Sequence, residues 1–242
     1  MTASRTSSAT HLQLNSKPKF KAGVPPTLSR RAGMLGVAFS PTLAFRKALA
    51  STPGRMPGLS AANAQGERVY VRPLGKSGGH GVGWSEITPY KFLIYDGWDE
   101  RPVSIADPEG TEIDAKFASD EDGELKIILA PILRFADFPN ESNPQIQDFL
   151  SLANFIKGFG PELIGAPVQE EDVVRSSTDE RNGLTFYNYE LRTHWLISAT
   201  VHQRRVYIMA IHANALQWRR SYTKLLRTSN SFSIPDLFES GI

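Results

Sequence analysis

From Glu67 onward apolar and polar residues alternate over short runs, the period of strands with one face buried. Val69-Tyr70-Val71 predicts a short strand and Tyr90 to Tyr95 a second. Ile113 to Ala118 and Leu125 to Ile132 predict a hairpin joined around Asp120-Glu121-Asp122-Gly123, where Asp-Gly favours a tight turn. Thr185 to Arg192, Trp195 to His202 and Arg205 to His212 are β-rich runs separated by short polar turns, which predicts a meander. Between the early and late strands the period changes. Gln145 to Lys157 places Ile146, Phe149, Leu150, Ala153 and Ile156 on one helical stripe, with Gly158 and Gly160-Pro161 expected to stop it. After the meander, Asn214 can cap a helix whose Ala215, Trp218, Tyr222, Leu225 and Leu226 share a face, leaving Arg219, Arg220, Lys224 and Arg227 elsewhere.

Both parities of the meander are partly apolar, Trp195, Ile197, Ala199 and Val201 against Leu196, Ser198 and Thr200. A sheet apolar on two sides needs cover on both, and the chain offers two amphipathic helices for it. The expected class is therefore α+β, an antiparallel sheet covered by helices on both faces. Residues 65–242 are read as one domain carrying a Gly-rich loop over 75–83.

Charge divides the 242-residue chain in a way its net of +2 conceals. Nine of the 27 Lys and Arg lie in residues 1–64, which have no Asp or Glu, so 65–242 carries 18 bases against all 25 acids, a net of −7. The acid-free head also holds 14 Ser or Thr, a composition that suits an organelle import peptide and opposes folding. A basic tail for nucleic acid is the plainer alternative, but the second half of the head argues against it. There Arg30-Arg31 precedes the apolar stretch Ala32 to Phe45, then Ala48-Leu49-Ala50, the layout of a twin-arginine signal with an Ala-x-Ala processing site. Ala62-Asn63-Ala64 is a second processing site of the same type. Residues 1–64 are thus expected to be a bipartite leader, cut near Ala50 or Ala64. The chain has no Cys, which excludes thiol nucleophiles, Cys-ligated metals and redox disulfides. No apolar run reaches the 18 or so residues of a membrane-spanning helix.

Candidate chemistry is sparse. Gly75-Lys76-Ser77 looks like the end of a phosphate loop, but Tyr70 stands where the opening Gly belongs. Asp120, Asp122 and Glu124 could offer calcium hard oxygen ligands, yet the spacing lacks the distant bidentate Glu, and a solvated hairpin turn is the favoured reading. Two or three of His194, His202 and His212 could converge on zinc, and a pocket near His202 and His212 could serve a small-ligand module or an enzyme, against the plainer reading of strand-end hydrogen bonds. Arg204, Arg205, Arg219, Arg220, Lys224 and Arg227 are the densest positive charge in an acidic domain, either a solvated helix face or a patch for an acidic partner or anionic headgroups. His80 in the glycine loop is a loop residue or an exposed ligand and pH sensor. Trp98, Trp195 and Trp218 are core candidates, whereas Trp84, beside the loop, is expected to touch a partner.

The block His194 to Val201, then Arg205-Val206-Tyr207, Trp218 and Ser231-Phe232, resembles the C-terminal signature of the PsbP-domain family. Tyr90 to Trp98, ending Gly97-Trp98, is similar to its first strand and turn, and the likeness covers roughly residues 84–234. The resemblance implies an α/β/α sandwich, a layering shared with the Mog1 proteins. It also implies a non-enzymatic protein of the chloroplast thylakoid lumen, peripheral to the membrane. Its partner would be a photosystem core or assembly intermediate, foremost photosystem II and its oxygen-evolving complex. Calcium is implied by the resemblance alone. The Gly-rich segment and the acidic domain depart from the principal subunit, so a PsbP-domain relative is expected.

Overall fold

The structure is a computed structural model that describes residues 56–76, 87–103, 112–139 and 142–235. The expected leader up to residue 55, and Ser77 to Gly83 of the glycine loop, lie outside the described residues.

Two strands, β1 (Glu67–Val71) and β2 (Lys91–Tyr95), form an antiparallel ribbon. A larger antiparallel sheet is built from β3 (Asp99–Arg101), β4 (Ile113–Ser119), β5 (Gly123–Pro131), β6 (Val173–Arg181), β7 (Leu184–Leu191), β8 (Trp195–His202) and β9 (Arg205–His212). Its spatial order is β3-β4-β5-β9-β8-β7-β6, so two meanders meet where β5 pairs with β9 from Glu124↔His212 to Pro131↔Arg205. The helices are α1 (Ile146–Phe149), α2 (Leu152–Ile164) and α3 (Ala215–Ser231).

Alternation along β9 divides the core. Tyr207, Met209 and Ile211 join a cluster with Tyr90, Phe92 and Phe117, together with Leu225 of α3 and Phe232 after it. Val206, Ile208 and Ala210 join the other cluster, with Phe155, Ile156, Phe159 and Leu163 of α2. The first face is therefore roofed by α3 together with the β1–β2 ribbon, an addition to the expected helix. On α3, Ala215 is exposed, and the buried stripe is Ser221, Leu225, Thr228 and Ser229.

Three elements differ from expectation. The single helix over 145–157 is two: Leu150 is extended (φ −146°, ψ 148°), and Ser151 opens α2 by accepting a hydrogen bond from the Asn154 N–H. The glycines and Pro161 do not stop α2, which continues to Ile164 and closes on Gly165 at φ 75°. Burial of Phe155, Ile156, Phe159 and Leu163 outweighs the backbone bond that Pro161 forfeits. Gly160 lets α2 approach its neighbour, since a Cβ there would lie 2.5 Å from Val168 Cγ2. Finally, β6 pairs with β7 at the sheet edge through the tight turn Asn182-Gly183, at φ 50° and 71°. Its interior is exposed on both sides, so it carries no alternation to read.

A buried ionic network underlies the base of the glycine loop. Asp114, fully buried, accepts from Arg72 Nε and Nη2 at 2.9 Å each and from the Tyr90 hydroxyl at 2.7 Å. Arg72 also donates to the Lys76 carbonyl. Lys76 Nζ pairs with Glu100 and donates to the Tyr70 hydroxyl at 3.0 Å, so it serves this network and not a phosphate.

Candidate docking surface

Helix α3 presents the positive charge. The Asn214 side chain accepts from the Leu216 and Gln217 N–H groups, and the Gln217 side chain accepts from the Asn214 N–H, the reciprocal cap that starts the helix. The helix is then held on two flanks. On one, Gln217 Nε2 donates to the Asp120 carbonyl (3.1 Å), Arg220 to the Glu121 carbonyl and the Ser221 hydroxyl to Asp122. Lys224 Nζ stands 4.0 Å from Asp122, and Arg227 Nη2 lies 3.0 Å from Glu67 Oε1. On the other flank, the Tyr222 hydroxyl donates to Glu190 at 2.8 Å. Burial raises the Tyr222 pKa, and the Glu190 bond holds the phenol protonated.

The outermost row of α3 is Leu216, Arg219, Thr223 and Arg227, spaced by three and four residues, with Leu216 75% exposed. Arg220 and Lys224 run beside it. Four of the expected basic residues thus share one exposed helical face. Arg204 does something else: from the β8–β9 turn its guanidinium donates to the carbonyls of Pro139 (2.5 Å), Ser142 (3.2 Å) and Phe138 (3.2 Å). It stitches that turn to the chain before α1. Arg205 follows it at the head of β9, on the Tyr207 side of the sheet. His80 and Trp84 lie outside the described residues.

The expected solvated turn is corrected at one residue. Asp122 is 3% exposed, bound to the Ser221 hydroxyl and approached by Lys224. The turn is a seat for α3, because the carbonyls of Asp120 and Glu121 also accept from that helix. Among the described residues no three His, Cys, Asp or Glu side chains are grouped to hold a metal.

The three histidines do not meet at one point: His194 neighbours His212, and His202 is remote from both. The β8–β9 register pairs Trp195 with His212 and His202 with Arg205, placing His202 and His212 at opposite ends of the hairpin. His212 stacks on Trp195 with ring centroids 4.5 Å apart, whereas His194 lies 5.2 Å from Trp218 of α3. Burial lowers the His212 pKa; Glu124, directly opposite on β5, counteracts this and His194 adds to it. His212 and Trp195 line a groove of about 930 Å³ with Lys116, Glu124, Lys126 and Leu163. Trp98 is buried, while Trp195 and Trp218 are half-buried, a stacking role that spacing alone does not distinguish from core.

Comparison with known proteins supplies the relationship. Residues 85–234 match the PsbP family. PsbP domain-containing protein 4, chloroplastic, of Arabidopsis thaliana is 46% identical over 216 residues, spanning 86% of this chain and 82% of its own. The thylakoid lumenal 19 kDa protein, chloroplastic, of the same plant is 24% identical over 217 residues, 86% of this chain and 89% of its own. The solution structure of cyanobacterial PsbP (CyanoP) from Synechocystis superposes with a TM-score of 0.48 at 17% identity, over 76% of this chain and 99% of that one. With a family match spanning most of the folded residues and a chloroplast relative identical at nearly half the aligned positions, the chain belongs to the PsbP family, among its chloroplast and thylakoid-lumen members.

Proposed function

We propose that this chain is a non-enzymatic accessory protein that docks on the lumenal face of a photosystem, photosystem II or an assembly intermediate of it, without entering the membrane. The observation that carries the reading is the outer face of α3. Arg219 and Arg227 alternate there with exposed Leu216 and Thr223, and Arg220 and Lys224 lie alongside. Positive charge around an exposed apolar residue, on a domain of net −7 over 65–242, suits an acidic partner surface: the charge steers encounter and Leu216 supplies burial. Among the described residues no helix is long and apolar enough to cross a membrane, in keeping with peripheral attachment.

The test is a salt-stepped capture from solubilised thylakoids by the tagged mature protein, with the retained subunits identified by mass spectrometry. Photosystem core subunits that release as salt rises, and that an Arg219→Glu, Arg227→Glu variant fails to hold, support the proposal. Equal capture by that variant removes α3 from it. The groove beside His212 favours a second reading, a lumenal module for a small ligand or an enzyme, of which His202 would be no part. A melting shift with a metabolite, lost in His212→Gln, would establish that reading; no shift across a broad panel would refute it.

A further inference from the structure

Strand β6 is the outer strand at one end of the large sheet; the other end is β3, only three residues long. Over its nine residues β6 pairs inward with β7, and Val174 to Glu180 are exposed. The strand contains neither Lys nor Pro, the residues that guard many sheet edges, and its Val174 is 55% exposed. Arg181 and Leu184 flank the two-residue turn as the closing hydrogen-bonded pair, so Arg181, Asp179 and Ser177 exchange main-chain bonds with β7. By the same alternation Ser176, Thr178 and Glu180 turn their N–H and C=O groups away from the sheet.

We propose that this edge is a self-pairing surface: two copies of the chain join antiparallel through β6, about a two-fold axis at Ser177, into one continuous sheet. The strand is its own complement. Outward-facing residues must meet each other, which sets Ser176 of each copy against Thr178 of the other, each pair exchanging both main-chain bonds. In that register Arg175 faces Asp179 of the second copy, and symmetry makes the contact twice. Neighbouring registers fail on charge. Centred on Thr178, Arg175 would face Arg181; centred on Ser176, Glu180 would face Asp172. Arg175, Ser177 and Asp179 share the face of the sheet that carries Phe186, Asn188 and Glu190. There Asp179 Oδ2 accepts from Arg181 Nη2 at 3.1 Å and from Asn188 Nδ2 at 2.9 Å, which fixes the carboxylate and leaves Oδ1 for a donor across the edge. The small side chains of Ser176, Ser177 and Thr178 let two backbones meet, whereas the flanking charges repel strands that do not match them.

The pairing is independent of what α3 binds, and one strand per copy makes a small interface, so association should be reversible. Sedimentation velocity of the full chain at low salt, over about 1 µM to 1 mM, tests it. A dimer that grows with concentration is the expected result, and a monomer throughout overturns the proposal. Thr178→Pro removes an outward N–H and spares the ladder to β7, so it should lose the dimer with an unchanged circular-dichroism spectrum. Arg175→Asp and Asp179→Arg should each lose the dimer alone and pair with one another when mixed, because the mixed pair restores opposite charges at both contacts. A dimer untouched by Thr178→Pro overturns the assignment to this edge, and folded charge variants that fail to pair when mixed overturn the register.

Discussion

Replacing Asp114 by Leu strands the guanidinium of Arg72 in the core. Both side chains of the pair are fully buried, joined by two bonds of 2.9 Å, and Tyr90 supplies Asp114 with a third bond at 2.7 Å. Burial by itself disfavours the Arg72 charge; the hydrogen bonds and charge of Asp114 more than offset it, and the Arg72 pKa ends above its ordinary value. Removing one member of such a pair costs about 3–5 kcal/mol, because an uncompensated charge remains buried. For a domain of this size that lowers the melting temperature by about 6–20 °C. Arg72→Met alone should cost a similar amount, since Asp114 is then the stranded charge. The double variant Arg72→Met, Asp114→Leu removes both charges and should recover most of the loss. It would keep a residue of about 1–3 kcal/mol for the Tyr90 hydroxyl, left without its acceptor. Chemical denaturation of the four proteins closes the double-mutant cycle. Single variants within about 1 kcal/mol of wild type, or a double variant as unstable as the two losses added, would refute the argument.

Two neighbouring glycines in α2 should respond with opposite sign. Gly158→Ala has open space and should stabilise by about 0.5–1 kcal/mol through helix propensity, whereas Gly160→Ala, meeting Val168, should destabilise by about 1–3 kcal/mol; urea midpoints decide. Because the folded pKa of His212 is lowered, the unfolded chain takes up its proton first as pH falls, so stability drops through pH ~6.5 and levels off below the folded value. His212→Gln should flatten this part of the profile, and unchanged curvature between about pH 7.5 and 5 would refute it. Arg204→Ala deserts three carbonyls, for a loss of about 1–3 kcal/mol, yet it should leave salt-dependent capture by α3 intact in thylakoid pulldowns.

The meander was legible because Trp195 to His202 and Arg205 to His212 are unbroken β-rich runs that flank a two-residue turn; both strands have the expected bounds. The same reasoning locates the histidines, since pairing about Gln203-Arg204 sets His202 against Arg205 and His212 against Trp195. Strand β6 escaped because hydrophobic alternation is a signal of burial, and Arg175 to Glu180 is exposed on both faces. A local signal was present in Asn182-Gly183, whose left-handed backbone fits a hairpin turn. The course of α2 past Pro161 was hidden for another reason: propensity is local, whereas the contact of Gly160 with Val168 and the packing of Phe159 depend on tertiary neighbours. On α3, the Asn214 cap and the basic face could be read directly. The seating of Asp122 under Ser221 joins residues far apart in the chain, which no local pattern encodes.

The pairing of β5 with β9 sets the order of assembly. Each meander forms from neighbouring segments, but the strand completing the first ends at Pro131, and its partner does not begin until Arg205. The loop between them must close before either half gains its full core, so this seam carries the largest entropic barrier of the sheet. Until His212 is available, Leu125, Ile127 and Leu129 lack Tyr207, Met209 and Ile211 to pack with. An incomplete chain held on a ribosome therefore lacks this seam, and the last strand and helix complete the core together.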